Sequence, residues 1–269
     1  MPHVARIVLD VGVQTLAFDY RGFGESDGAR RQHIDPWMQI EDYRNAISYV
    51  ERRDDVDAGA IGIFGISYSG GHVLILAATD PRIRAVVSLV PVIDGYANMK
   101  RAHGEFRFRD LEEAIIADRR ARYAGTAEGY LPHATEAPHE ELSVWPFPVT
   151  AKTFSEIKRT EAPRYDKMST VESTELLLSY NVLPYLERIL NTPLLMLVAE
   201  GDNLTLWDLE IAAYNAIPSP AKELVIMPSI SHMSLYSDRG DTNVAAQHTS
   251  RWFATHLAGP ERAEPAQRF

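Results

Sequence analysis

The chain has 269 residues, of which 45% are hydrophobic and 24% are charged, a composition typical of a globular protein with one large or two small domains. The formal net charge of −10 argues against a general nucleic-acid-binding role, and the lack of cysteine excludes disulfides, thiol catalysis and cysteine-ligated zinc. The first residues do not resemble a signal peptide, and no apolar segment is long enough to cross a bilayer. We therefore expect a cytoplasmic protein without nucleic-acid or membrane partners.

The first quarter of the chain is predicted to alternate between helices and a strand. Apolar residues at helical spacing predict a helix over residues 2–11, and a strand is expected at 13–18. A glycine-rich loop follows at 19–28, and it lacks the lysine and the spacing of a phosphate-binding loop. Asp35-Pro36 then combines a capping residue with a proline, which predicts the start of a helix that runs to about residue 53.

The stretch at residues 61–71 is the most informative part of the sequence. An apolar, β-branched run ends at Gly65, Ser67 follows two positions later, and an apolar helix is expected from Tyr68 to about residue 79. A serine between small residues at a strand-to-helix turn holds its hydroxyl outside the sheet and close to the free N–H groups of the helix. The pattern is Gly-x-Ser-x-Ser rather than the stricter Gly-x-Ser-x-Gly. A buried strand with a small-residue turn and no catalytic role is therefore the alternative.

The strand and helix pattern continues in the second half of the chain. The run at 84–91 lacks polar alternation, which indicates a strand that is buried on both faces. This alternation is typical of an α/β fold, a mostly parallel sheet flanked by helices. The later elements are predicted as a strand at 193–199, a helix at 205–216, a strand at 223–227 and a helix at 241–257.

Residues 94–185 interrupt this alternation with a long polar segment that contains helical stretches near 105–123, 168–179 and 182–190. A structureless loop of that length is improbable in a compact domain. We interpret the segment as a helical cap over one end of the sheet, with a separate helical domain as the alternative. The predicted organisation is a first part of the core at 1–93, the cap insertion at 94–185, a second part of the core at 186–258 and a flexible tail at 259–269.

Three residues with complementary chemistry follow three predicted strands. Ser67, Asp202 and His232 each lie just past the carboxyl end of a strand, and in a parallel sheet these ends share the edge where ligands bind. A serine hydroxyl is a poor nucleophile until an imidazole accepts its proton, and a carboxylate must then orient the imidazole. The sequence therefore predicts a Ser-Asp-His triad.

Each member of this predicted triad has another possible role. In the alternative for Asp202, its whole role is to cap the helix that begins near Leu204. Asp94, just past an earlier strand, is then the other candidate for the acid of the triad. His232 could be a histidine of a surface loop. The alternatives stay open at the level of the sequence, although the three residues together are more specific than any one of them.

The remaining histidines do not form a metal-ligand pattern. His72 lies one turn into the helix after Ser67 and is expected to be structural, whereas His133 and His139 are expected to be solvated residues of the cap. We expect neither a metal nor an organic cofactor.

The sequence resembles the α/β-hydrolase superfamily, and in particular the dienelactone hydrolases and polyketide-type thiohydrolases. The X-Pro dipeptidyl-peptidase and cocaine-esterase group is more distant. The resemblance rests on the Asp-x-Arg-Gly-x-Gly-x-Ser loop at 19–26, the elbow at 65–69, Asp202 and His232, and it spans about residues 3–257. It implies that Ser67 is the nucleophile, Asp202 the acid and His232 the base, with the N–H of Tyr68 as one oxyanion donor.

This resemblance implies a serine hydrolase that cleaves a small-molecule ester or thioester through an acyl-serine. A homo-oligomer is a candidate assembly for it. Tyr20, Trp145 and Phe147 are candidates for a partly apolar substrate pocket, although Trp145 and Phe147 could equally pack in the core. The alternatives are a non-catalytic or weakly active member that binds a ligand or partner, or an acyltransferase or peptidase with the same triad.

One departure from the usual layout concerns the oxyanion site. Family members carry strands and a His-Gly-type loop before the helix with which this chain begins, and that loop supplies the second oxyanion donor. We therefore expect that roughly 40–60 residues of this layout are missing from the given sequence, which would leave an open edge on the sheet. Three alternatives stay open: the sequence is a shortened reading of a longer protein, a partner fills the edge, or activity is much reduced, since the loss of one oxyanion donor lowers the rate by about 10²–10³.

Overall fold

The computed structural model describes residues 2–257, and the predicted flexible tail at 259–269 lies outside the described residues. The helices are α1 (Pro2–Leu9), α2 (Pro36–Glu51), α3 (Tyr68–Thr79), α4 (Gly95–Tyr123), α5 (Pro148–Thr160), α6 (Val171–Leu178), α7 (Leu183–Leu186), α8 (Trp207–Ala216), α9 (Ser234–Ser237) and α10 (Arg239–Leu257). The strands are β1 (Ile61–Ile66), β2 (Ile83–Leu89), β3 (Tyr130–Pro132), β4 (Met168–Thr170), β5 (Leu194–Ala199) and β6 (Lys222–Met227).

The main sheet is parallel and has the strand order β1-β2-β5-β6. Every residue of β5 is buried, as are all residues of β2 except Arg84, because helices cover both faces of the sheet. Two apolar clusters form, one on each face: the first contains the core side chains of α2 and α3, and the second contains those of α1 and α10. The predicted α/β class is confirmed.

The strand predicted at 13–18 is wrong. Within residues 2–257 this segment has no regular secondary structure, and β1 is hydrogen-bonded to a neighbouring strand only on the β2 side. The segment and β1 together line a cavity of about 590 Å³, and Leu16 and Phe18 are 49% and 37% exposed. Apolar composition favours a strand, but a strand needs a partner for its backbone hydrogen bonds, and the sequence window does not show whether one is present.

The predicted start of α2 is confirmed by its cap. The Asp35 carboxylate accepts hydrogen bonds from the amides of Trp37 at 2.9 Å and Met38 at 3.2 Å, and Pro36 occupies the first helical position. These contacts satisfy amides that have no partner inside the helix. A helix cap whose donors and acceptor lie within a few residues of each other can therefore be predicted from the sequence.

The segment 94–185 is mostly helical, with α4 to α7 and a small antiparallel pair of β3 and β4. α4 is bent at Gly104, where φ is +63°, and α5 was not among the predicted helices. Phe108 and Leu111 of α4 and Leu177 of α6 are buried in the same apolar cluster as α3. The segment thus shares its core with one face of the sheet, whereas its division into a separate cap domain stays a prediction.

No helix within residues 2–257 is both long enough and apolar enough to span a bilayer.

Candidate active site

Ser67 lies at a strained turn between β1 and α3. Its φ of +55° and ψ of −117° are unusual for a residue with a side chain, and such strain is characteristic of functional sites. A Cβ atom on Gly65 would lie 2.1 Å from the carbonyl oxygen of Ser69, so only glycine fits there. The small residues of the predicted elbow are therefore required by the close approach of the backbone.

Backbone hydrogen bonds fix this turn to the end of the neighbouring strand. The Ser67 amide donates to the Leu89 carbonyl at 2.9 Å, and the Ser67 carbonyl accepts from Val92 at 3.0 Å. Tyr68 is the first residue of α3, a position whose N–H has no partner within its own helix. This amide has the location that an oxyanion donor requires, and its role stays a prediction.

Asp202 and His232 form a buried hydrogen-bonded pair. Asp202 follows β5 and His232 follows β6, and Nδ1 of the imidazole donates to Oδ2 of the carboxylate at 2.7 Å. Both residues are only 5% exposed. The carboxylate also accepts from the Leu204 amide at 2.8 Å and from the Thr205 hydroxyl at 3.0 Å. Asp202 is therefore both a local cap and the partner of His232, two roles that the sequence had left as alternatives.

The electrostatics of this pair favour an ionised Asp202. Burial by itself raises the pKa of the Asp202 carboxyl, but the nearby His232 imidazole and the donated backbone hydrogen bonds outweigh that effect. The pKa of Asp202 is thus below its usual value. A buried carboxylate that stays charged can hold the imidazole in the tautomer with the proton on Nδ1, which leaves Nε2 free to accept a proton.

Tyr236 lies beside the histidine. Its ring stacks on the His232 imidazole with the centroids 5.9 Å apart and an angle of 27° between the planes. Burial raises the pKa of its phenol, an effect that the nearby Ser67 side chain offsets only in part. Within residues 2–257 the structure shows no direct hydrogen bond between Ser67 and His232. Ser67 follows β1 and His232 follows β6, so both nevertheless lie at the carboxyl edge of the same parallel sheet. Catalytic hydrogen bonds are often long until substrate is bound.

A second carboxyl group lies behind the pair. Glu210 of α8 is fully buried, and neither of its oxygens has a hydrogen-bond partner of normal geometry in the described part of the chain. Burial raises the pKa of Glu210 well above its usual value, and the negative charge of Asp202 raises it further. Glu210 therefore keeps its proton to a higher pH in the folded protein than an exposed glutamate does.

The substitution Glu210→Gln should stabilise the protein in a pH-dependent way. The unfolded chain loses the Glu210 proton near pH 4.5 while the folded chain keeps it, so the wild-type free energy of unfolding falls as the pH rises above that value. Glutamine does not titrate, so the difference in free energy of unfolding between the variant and the wild type should increase from pH 5 to pH 7, by at most about 1.4 kcal/mol per pH unit. Urea unfolding at pH 5, 6 and 7, followed by tryptophan fluorescence, measures this difference.

The exposed Glu141→Gln variant is the matched control and should unfold like the wild type at each pH. If the difference in free energy of unfolding between Glu210→Gln and the wild type does not change with pH, Glu210 is ionised in the folded state and the prediction is wrong.

Several other predicted residues do not join this pair. Asp94 caps α4 by accepting from the Ala97 amide at 2.9 Å, so the rival acid is engaged elsewhere. His72 is buried between Tyr180 and Gln39, with ring hydrogen bonds of 3.0 and 2.9 Å, and burial lowers its pKa to about 3. It is a neutral structural histidine, as expected.

The expectation that His133 is solvated is wrong. Its Nδ1 lies 2.8 Å from the Tyr165 hydroxyl, and the two rings stack with centroids 5.8 Å apart. Burial lowers the pKa of His133 to about 4, because the aromatic neighbours exclude water from the ring. His139 is exposed, as expected.

The three candidate pocket residues have mixed surroundings. The Tyr20 hydroxyl forms a hydrogen bond with the Ser69 hydroxyl at 2.6 Å, so it supports the elbow two residues after Ser67. Trp145 packs against the core, in line with the alternative given for it, and Phe147 is a partly buried residue that precedes α5. The role of all three in substrate binding stays a prediction.

The sequence reasoning missed Thr205, Glu210 and Tyr236. The spacing of four residues between His232 and Tyr236 could have indicated Tyr236, because it places the two side chains on one side of a helical turn. Thr205 lies three residues after Asp202, at the spacing expected when an aspartate caps a helix. The hydrogen bond from its hydroxyl to the Asp202 carboxylate was not predicted. Glu210 could have been indicated by its spacing, because it lies four residues after Leu206 and three before Ala213, on the apolar face of the predicted helix.

A strained serine elbow beside a buried Asp-His pair, at the carboxyl edge of a parallel sheet, defines the α/β-hydrolase class. A family model described as X-Pro dipeptidyl-peptidase (S15 family) matches residues 3–234, a span that contains Ser67, Asp202 and His232. The chain therefore belongs to that family and is an α/β-type hydrolase. From the sequence motifs, the X-Pro dipeptidyl-peptidase group was expected to be a more distant relative than the polyketide-type thiohydrolases. The comparisons find similarity to both groups.

The chain is 29% identical over 248 residues to thiohydrolase aneE of Aspergillus aculeatus, covering 89% of this chain and 73% of that protein. It is 27% identical over 233 residues to polyketide transferase grgF of a Penicillium species, covering 87% of this chain and 76% of that protein. The crystal structure of the α/β hydrolase GrgF from Penicillium superposes with a TM-score of 0.78 at 24% identity, covering 96% of this chain and 85% of that one. This likeness supports the fold.

Proposed function

We propose that the protein is a serine hydrolase that cleaves a carboxylic ester or thioester of a small molecule through an acyl-serine intermediate. The observation that carries the proposal is the 2.7 Å hydrogen bond between His232 and Asp202, at the same sheet edge as the strained turn at Ser67. The similarity to a protein named thiohydrolase supports the substrate class.

In the proposed mechanism, Ser67 attacks the carbonyl carbon while Nε2 of His232 accepts the hydroxyl proton. Asp202 keeps the imidazole in the correct tautomer and stabilises the imidazolium. The Tyr68 amide, at the start of α3, donates to the oxyanion. The leaving alcohol or thiol takes the proton from His232, and water activated by the same imidazole then releases the acid. These steps need no metal, and no group of three or more potential metal-ligating side chains occurs in the described range 2–257.

A fluorophosphonate probe tests this proposal directly. Purified protein should react with one equivalent of the probe, and peptide mass mapping should locate the adduct on Ser67. The same preparation should hydrolyse short-chain aryl esters and aryl thioesters, and probe treatment should abolish both activities. A folded protein that neither reacts with the probe nor cleaves either substrate would instead favour a non-catalytic member that binds a ligand or partner.

Acyl transfer is the second candidate, because one relative bears the name polyketide transferase. The same acyl-serine can be intercepted by an alcohol or amine instead of water. Product analysis with a competing alcohol separates the two functions: a hydrolase gives mainly the free acid, whereas a transferase gives mainly the new ester. A peptidase would in addition cleave X-Pro amide substrates, as the family description suggests.

A further inference from the structure

Asn98 of α4 is a buried polar residue that contacts the turn after Asp202. Its side chain is fully buried, and Nδ2 donates a hydrogen bond to the Leu204 carbonyl at 2.5 Å. A carbonyl oxygen can only accept, so the amide nitrogen must face it. The amide oxygen of Asn98 has no hydrogen-bond partner in the described residues 2–257, a cost in free energy that an apolar side chain would avoid. The hydrogen bond to Leu204, rather than packing, therefore accounts for an amide at this position.

The Leu204 carbonyl belongs to the same peptide group as the Thr205 amide. That amide donates to Oδ1 of Asp202 at 3.3 Å, and the Thr205 hydroxyl donates to Oδ2 at 3.0 Å. Oδ2 also accepts the 2.7 Å hydrogen bond from His232. One planar peptide group is thus bonded to Asn98 through its oxygen and to the acid through its nitrogen. Hydrogen bonds in such a chain polarise and strengthen one another.

The turn that contains this peptide group is strained. Leu206 has a φ of +62° and a ψ of +86°, in the left-handed region that a leucine rarely adopts. Such a backbone conformation persists only where the surrounding structure holds it. The Trp207 amide closes the turn by donating to the Asp202 carbonyl at 3.2 Å, and Asn98 holds the turn from the neighbouring helix α4.

We propose that Asn98 is a positioning residue, which holds the peptide group after Leu204 so that the Asp202 carboxylate faces the imidazole of His232. The inference rests on the proposed function, in which Asp202 and His232 are the acid and the base. Without the Asn98 donor, the Leu204 carbonyl would be buried and unpaired. The peptide group would then rotate toward another donor, and the carboxylate that it holds would move away from the imidazole.

The test is the rate of acylation in the variants Asn98→Leu and Asn98→Ala. Both remove the donor, but leucine keeps the branched shape whereas alanine leaves a cavity, so an effect common to both comes from the lost donor. With p-nitrophenyl acetate, we expect the pre-steady-state acylation rate to fall about 10–100-fold, because a misplacement of about 1 Å at a catalytic group costs up to about 10²-fold. Stopped-flow absorbance of the released p-nitrophenol measures this rate.

A double-mutant cycle separates positioning from a general structural role. If Asn98 acts through the carboxylate, Asn98→Leu should change the rate by less than about twofold in the Asp202→Asn background, where the charge is already absent. A structural role alone would lower the rate by the same factor in both backgrounds and would overturn the inference.

Proton NMR gives a second readout that needs no substrate. The proton between Nδ1 of His232 and Asp202 lies in a short, charge-assisted hydrogen bond and should resonate far downfield. Its loss in His232→Gln assigns the signal. In Asn98→Leu we expect this signal to move upfield or to disappear, because the carboxylate no longer faces the imidazole. An unchanged signal would show that Asn98 does not position the acid.

Arg101→Gln is the matched control. It removes an exposed ion pair with Asp208 that joins α4 to α8 one turn after Asn98, and it should keep the acylation rate and the NMR signal of the wild type. If the wild type is acylated and both Asn98 variants react at its rate, the inference is overturned while the proposed function stands. Urea unfolding measures the stability of each variant, and failure of both Asn98 variants to fold would assign the residue to stability and also overturn the inference. If the wild type is never acylated, the proposed function fails, and the NMR signal alone decides whether Asn98 holds the carboxylate.

Discussion

Replacement of Ser67 by alanine should eliminate both fluorophosphonate labelling and ester hydrolysis. The expected loss in kcat is on the order of 10⁶-fold, the size seen when the nucleophile of a triad is removed. Alanine keeps the Cβ atom and removes only Oγ. The strained backbone at φ +55° should therefore persist, and the fold should be unaffected. Probe labelling on a gel and the initial rate with p-nitrophenyl acetate measure the two effects.

The control for this substitution is Ser179→Ala. Ser179 is exposed at the end of α6, and its hydroxyl bonds to the Glu175 carbonyl of its own helix. This variant should label and hydrolyse as the wild type does. If labelling survived in Ser67→Ala, another residue would be the nucleophile and the assignment of the elbow would be refuted.

The second large effect is expected for Asp202→Asn, which should lower kcat by about 10⁴-fold with little change in stability. An asparagine oxygen can still accept the 2.8 Å hydrogen bond from the Leu204 amide, so the local cap is retained. What is lost is the negative charge next to the His232 imidazolium and the preference for the proton on Nδ1. The pre-steady-state acylation rate measured at several pH values reports this loss.

Asp94→Asn separates the two acids that the sequence alone could not rank. Asparagine caps helices as well as aspartate does, so this variant should keep α4 intact, and its activity should stay within about twofold of the wild type. The reverse outcome, with Asp94→Asn inactive and Asp202→Asn active, would show that the acid is Asp94 and that the buried pair is structural.

The regular elements of the core were largely predictable because their patterns are local. The α3 helix, the β1 and β2 strands and the Asp35 cap of α2 follow from apolar runs, glycine positions and capping residues inside short windows. The segment 94–185 was predictable as mostly helical but not in detail. α5 was missed because its amphipathic pattern lies in a polar, proline-bearing stretch without a side-chain cap.

The candidate site was predictable in part. The order serine, acid, histidine after successive strands indicates which residues meet, since the carboxyl ends of parallel strands share an edge. The choice between Asp94 and Asp202 was not decided by that argument, because both follow strands. What distinguishes the two acids is the 2.7 Å hydrogen bond that His232 forms with Asp202.

Sequence by itself determined the α/β class and the strand-to-helix turn at Ser67, because the steric demands of that turn arise between neighbours such as Gly65 and Ser69. Only the tertiary structure decided that 13–18 is not a strand, that Glu210 is buried behind Asp202 and that Tyr236 stacks on His232. Each of these depends on how segments far apart in the chain pack together. The burial, charge and hydrogen-bond partners of a side chain are set by that packing, and a local sequence window does not contain it.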